Sequence, residues 1–102
     1  EFFPLDEAAF PAVRIARHVG ALGGTAPAVF NAANEECVAA FLTGKLAFTG
    51  ILSTVEQVVA HHVDGTGSGE GSAFVPDSDL SVAAVLDAEA WARPAANELI
   101  GG

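Results

Sequence analysis

Residues 31–35, NAANE, place two amides and a carboxylate inside PAVFNAANEECVAAFL, a run that otherwise reads as a buried helix. Asn31, Asn34, Glu35 and Val38 fall three and four residues apart and share one helical stripe. That stripe flanks an apolar one made of Phe30, Ala33, Cys37 and Phe41. An Asn-Asn-Glu cluster supplies no nucleophile, no acid–base pair and no metal set. Its expected role is to hydrogen-bond a neighbouring loop or helix cap, as buried amides must.

The other reactive side chains point the same way. His61 and His62 are adjacent, so on a helix they diverge by about 100°. With no cysteine or carboxylate at ligand spacing, His18, His61 and His62 read as surface residues rather than metal ligands. Cys37 lies on the apolar stripe and reads as a buried structural thiol. Gly20, Gly23 and Gly24 follow no strand, and the glycines at 65, 67, 69 and 71 lack the Lys-Ser/Thr of a phosphate loop. Asp77-Ser78-Asp79-Leu80 is similar to the Asp-Ser-Leu of acyl carrier proteins, but Asp79 interrupts it and it falls before the last helices. A stand-alone acidic helical interaction or acyl-carrier-like module, modified at Ser78, is therefore the alternative reading.

The elements that position these residues are helical. Pro4 disfavours helix before it, and Asp6 or Glu7 suits a helix N-terminus. A first helix is expected near 10–21, with Pro11 early, a stripe of Ala12, Ile15, Ala16 and Val19, and Arg14, Arg17 and His18 on other faces. A second runs from N-cap Thr25, with Pro27 in its first turn, to about Thr43, where Gly44 serves as a left-handed C-cap. Lys45 to Ile51 reads as a connector. Ser53 and Glu56 form a capping box for a third helix bearing Val55, Val58, Val59 and His62, ending at His62 or Val63. Residues 64–79 are rich in Gly and Ser and read as a flexible loop, with Ala73-Phe74-Val75 docking briefly. A short helix from Asp79 or Ser81 to Leu86 follows. Asp87 then caps a last helix anchored by Trp91, which Pro94 kinks or breaks. The expected fold is all-α: a small antiparallel four-helix bundle, with 1–9 a run-up segment from a preceding domain and 10–102 the helical domain.

Bulk properties bound the function. One domain of 102 residues with 51% hydrophobic residues can bury a modest core. Thirteen acidic residues against four basic ones give a net charge of −9, which disfavours nucleic acid and anionic membrane surfaces. Cys37 is the only cysteine, so no intramolecular disulfide forms, and a reducing, cytoplasmic setting is expected. No apolar run approaches a bilayer span. The chain has no Met and begins at Glu1, which is expected of a processed chain or of a domain excised from a longer one.

FPAVRIAR at 10–17, GGTAPAVFNAANEECVAAFLTGKLAF at 23–48 and VLDAEAWAR at 85–93 together resemble the C-terminal domain of 1-deoxy-D-xylulose 5-phosphate reductoisomerases. FFPLD at 2–6 resembles the run-up to that domain. The Gly-Ser-rich loop and Pro94, where a charged helix-former is more usual, depart from the pattern. The resemblance implies a homodimeric parent enzyme. It would convert 1-deoxy-D-xylulose 5-phosphate to 2-C-methyl-D-erythritol 4-phosphate, with NADPH and Mg²⁺ or Mn²⁺, in non-mevalonate isoprenoid synthesis. Cofactor and metal would bind the missing domains. No catalytic, cofactor or metal residue carries over to this chain, which is expected to be inactive alone. Asn31, Asn34 and Glu35 belong to the signature and would anchor a loop or the contact with the catalytic domain.

Overall fold

The computed structural model describes residues 9–101, so the expectations for Pro4, Asp6, Glu7 and the FFPLD run-up lie outside the described residues. Four α-helices account for most of those residues: α1 (Ala9–Leu22), α2 (Ala26–Leu42), α3 (Phe48–Asp64) and α4 (Val82–Gly101). No strand occurs among them, and the all-α class holds. α2 is the central helix. It packs broadly on α3 and α4, while α1 lies more lightly against α2 and α3.

The core follows from small residues. Ala26, Val29, Ala32, Ala33 and Cys37 of α2 meet Val55, Val58 and Val59 of α3 and Ala88, Ala92 and Ala96 of α4. The three α4 alanines repeat every four residues on one face, and their methyl side chains allow close helix approach. The aromatic residues lie further out. On the stripe expected to bury Phe30, Ala33, Cys37 and Phe41, only Ala33 and Cys37 are buried; Phe30 is half-buried and Phe41 exposed. On α1, Val19 is buried and Ile15 half-buried, but Ala12 and Ala16 are exposed because α1 covers so little of its neighbours.

Helix ends account for most of the differences from expectation. α2 stops as predicted: Lys45 N–H donates to Ala40 O at 2.8 Å and Gly44 N–H to Phe41 O at 3.1 Å, with Gly44 at φ 79°. This is the paired closure of a left-handed glycine cap. At its other end Thr25 holds the N-cap position but makes no capping bond, because its hydroxyl is engaged elsewhere. α3 starts at Phe48, five residues before the predicted start, so the connector is shorter than expected and the capping box does not form. Ile51 and Leu52 extend the apolar face upstream of Val55, and Ser53 is left mid-helix, accepting from Gln57 Nε2 at 3.3 Å. The helix runs on to Asp64 and is closed by Gly65 at φ 71°.

The expected pair of terminal helices is one continuous α4. Ser81 caps it, its Oγ accepting from Ala84 N–H at 3.0 Å, and Asp87 is an interior residue. Pro94 sits inside the helix without ending it. Proline cannot donate to the carbonyl four residues earlier. Here Ala90 and Pro94 both lie on the exposed side, while the buried alanine face carries the helix through.

Candidate functional site

The NAANE residues divide between two surfaces. Asn31 is exposed and Asn34 half-buried, and among the described residues neither is joined by a hydrogen bond to another group. Glu35 faces α4, where Arg93 Nη2 lies 2.9 Å from its Oε1. The same guanidinium donates from Nη1 to Glu36 Oε2 at 3.1 Å, and Asn97 Nδ2 donates to Glu36 Oε1 at 2.8 Å. The Asn97 amide and then the Arg93 guanidinium hold the Glu36 carboxyl below its usual range. The clamp crosses α2 to α4, and sequence reasoning missed Glu36 and Asn97. A usable signal was there: Arg93 and Asn97 stand four apart on one helical face, and Arg93 is one of only four basic residues.

His62 corrects the surface reading. It is fully buried, on the same face of α3 as Val55, Val58 and Val59. Its Nδ1 lies 2.8 Å from Ser72 O, and a carbonyl can only accept, so the ring proton sits on Nδ1. Nε2 is then an acceptor, and the Thr25 hydroxyl donates to it at 2.7 Å. Thr25 Oγ1 accepts in turn from Val75 N–H at 2.9 Å. The ring stacks on Trp91 at 5.5 Å and meets the edge of Phe74 at 6.1 Å. Burial lowers the His62 pKa, opposed by the bond to Ser72.

A hydroxyl hydrogen-bonded to an imidazole is half of a nucleophile-activation device. Here both groups are fully buried, and the Val75 amide occupies the hydroxyl oxygen, so no substrate can approach. The unit is a brace joining α2, α3, α4 and the loop. Sequence periodicity placed His62 on the buried stripe, and only the assumption that histidines prefer the surface hid it.

That loop, residues 65–81, carries no helix beyond one 3₁₀ turn at Asp77–Asp79. It is anchored at named points. Thr25 N–H donates to Val75 O at 3.0 Å, and Gly24 N–H donates to Asp77 Oδ1 at 2.6 Å. Gly24 has φ 55°, and a Cβ there would collide with the Val75 carbonyl, so only glycine fits. Phe74 docks as expected, and Ser78 sits exposed in the 3₁₀ turn rather than at a helix start.

The remaining reactive groups are dispersed. Cys37 is buried as predicted, and burial, aided by the Glu36 carboxylate and opposed by a hydrogen bond with Thr54, pushes its thiol up. His18 and His61 are exposed, His61 Nδ1 lying 2.7 Å from Thr66 Oγ1. Among the described residues no group of three or more His, Cys, Asp or Glu converges on a point, so this donor set does not fit a catalytic metal. No helix there is long and apolar enough to cross a membrane.

A cleft of about 290 Å³ opens where α1, α2 and α3 meet, its described lining including Ala12, Phe30, Asn34, Phe48, Ile51 and Leu52. Its rim is apolar and open to solvent, with Phe48 65% exposed.

The family described as the DXP reductoisomerase C-terminal domain matches residues 1–95. The chain is similar to the 1-deoxy-D-xylulose 5-phosphate reductoisomerase of Kitasatospora griseola, 62% identical over 102 residues, which is 100% of this chain and 24% of that protein. The enzyme of the same name from Streptomyces avermitilis is 59% identical over 97% of this chain and 23% of its own length. That from Cutibacterium acnes is 46% identical over 96% and 24%. The chain thus spans about a quarter of the length of these relatives. With its four helices and the NAANE and AWAR segments in place, it belongs to the family of DXP reductoisomerase C-terminal domains.

Proposed function

We propose that the chain is the C-terminal support domain of a 1-deoxy-D-xylulose 5-phosphate reductoisomerase. The parent rearranges that substrate and reduces it to 2-C-methyl-D-erythritol 4-phosphate. The observation that carries this reading is 62% identity over the whole chain to a protein of that name. NADPH supplies the hydride and Mg²⁺ or Mn²⁺ the Lewis acid, both held by the preceding domains, in a cytoplasmic homodimer. The described residues of this chain offer neither a metal-binding cluster nor a strand-borne glycine loop, so no chemical step is assigned to them. Their contribution is mechanical: the His62 brace and the Arg93 clamp give a stiff helical face against which a catalytic domain can be held.

Asn31, Asn34 and Glu35 contribute the polar part of that contact. Asn34→Ala should cost about 1–3 kcal/mol in the full-length chain, where its amide meets the catalytic domain. It should cost almost nothing in residues 1–102 alone. Equal effects in the two chains would remove these residues from the contact.

The function is tested by NADPH oxidation with 1-deoxy-D-xylulose 5-phosphate and Mn²⁺. The full-length chain should turn over and the 102-residue chain should not. Silence in both would refute the reductoisomerase reading, and turnover by the short chain would refute the support role.

A further inference from the structure

We infer that a different cavity, walled by the second half of α3, the start of the loop and the second half of α4, binds a small organic cation: an ammonium group carried on a short apolar or aromatic body. This site is independent of the reading above. The cavity holds about 400 Å³. Small-molecule pockets begin near ~300 Å³. Trp91, Pro94 and Leu99 supply apolar surface, and Thr66, Ser68 and Glu98 supply oxygen atoms.

Charge selects the ligand. Glu98 is the charged member of the described lining, and among the described residues no ion pair or hydrogen bond engages its carboxylate. The sequence has four basic side chains, Arg14, Arg17, Lys45 and Arg93, and none of them lines the cavity. Arg93 belongs to α4 but is turned to Glu35 and Glu36 of α2. An anionic ligand would therefore meet a carboxylate and no compensating cation, in a chain of net charge −9. A metal ion would find a single carboxylate where it needs several ligands, and no group of three or more His, Cys, Asp or Glu converges there among the described residues. An organic cation suits both halves of the lining. Its charge is attracted by the carboxylate and by the electron-rich indole, and its body covers the apolar wall.

The walls are already in place. Thr66 N–H and Gly67 N–H both donate to His61 O, at 3.1 and 3.3 Å, and His61 Nδ1 lies 2.7 Å from Thr66 Oγ1. The Trp91 ring is stacked on His62, and the loop backbone presses so closely on its edge that a Cβ at Gly67 would come within 2.7 Å of Cζ2. Indole and loop hold each other in position. The ligand thus meets a preformed surface, which spares much of the ordering cost of binding.

The test is a ligand-observed NMR titration of the full-length protein with phenethylammonium chloride, with 2-phenylethanol as the neutral counterpart of similar shape. The ammonium compound should bind saturably. The alcohol should bind about threefold or more weakly, and so should the ammonium compound to Glu98→Gln. Glu98 is exposed, so this variant should fold. Glu56→Gln removes the same charge from a part of α3 outside the cavity and should bind like the wild type. Equal affinity for the amine and the alcohol would overturn the site, as would equal losses in the two variants or the absence of saturable binding. Binding by residues 1–102 but not by the full-length protein would also overturn it, since the cavity would then be filled by another part of the longer chain.

Discussion

At the scale of single residues, His62 decides the most. Truncation to alanine would leave the Thr25 hydroxyl and the Ser72 carbonyl unpaired and open a void beside Trp91. His62→Ala should therefore cost about 2–5 kcal/mol in urea denaturation. The same residue makes stability depend on pH. Its folded pKa lies below its ordinary 6.5, so the unfolded chain binds the proton more readily. Stability is greatest above 6.5 and falls as pH drops below it. The Glu36 contribution also falls with acid, but lower, below the ordinary 4.5 of a glutamate. Denaturation midpoints at pH 7.5 and 5.5 should differ in the wild type and converge in His62→Gln, and a His62→Gln protein that kept the full difference would clear His62 of responsibility. Sequence patterning had already put His62 in line with three buried valines. What it lacked was the carbonyl of Ser72 and the hydroxyl of Thr25, partners 10 and 37 residues away that make burial tolerable.

At the scale of elements, caps and breakers behave differently in tertiary context. Ser53 and Glu56 satisfy the capping-box pattern but lie inside α3, so Ser53→Ala should change stability by less than about 0.5 kcal/mol. Ser81 does cap α4, and Ser81→Ala should cost about 1 kcal/mol. Reversal of that order in thermal melts would restore the shorter α3. Pro94→Ala should stabilise the chain by about 1–3 kcal/mol, since it returns one backbone bond to an otherwise continuous helix. A neutral or destabilising result would mean that the proline ring makes a contact worth keeping. Local signals thus set where α1 and α2 lie and where α2 ends. They failed at α3 and α4 because the upstream Ile51 and Leu52 and the alanine ladder 88–92–96 extend helices past positions that local chemistry marks as boundaries. The NAANE stripe was legible as a polar flank, yet the partner of its Glu35, Arg93, sits about sixty residues downstream, beyond the reach of any periodicity.

At the scale of the whole molecule, charge and surface apolarity pull in opposite directions. A net charge of −9 on 102 residues repels itself, so added salt should raise the melting temperature until screening is complete. A melting temperature that falls with modest NaCl would show that the Arg93–Glu35 and Arg93–Glu36 pairs outweigh the repulsion. The loop carries its own expectation. Amide exchange should be fast for residues 68–70 and slow at Thr25 and Val75, whose N–H groups are held across the chain.

Because Ser72 is fastened to α3, Val75 and Asp77 are fastened to the start of α2, and α4 lies along α2, covalent continuity through Ser68, Gly69 and Glu70 contributes little to holding the domain together. A glutamate-specific protease cutting after Glu70 should therefore yield a nicked molecule, not two separate peptides. The 70-residue and 32-residue pieces should co-elute in gel filtration and part only in denaturant. The two pieces, made separately, should recombine on mixing, so that the domain is in effect a heterodimer whose subunits happen to be joined by a tether.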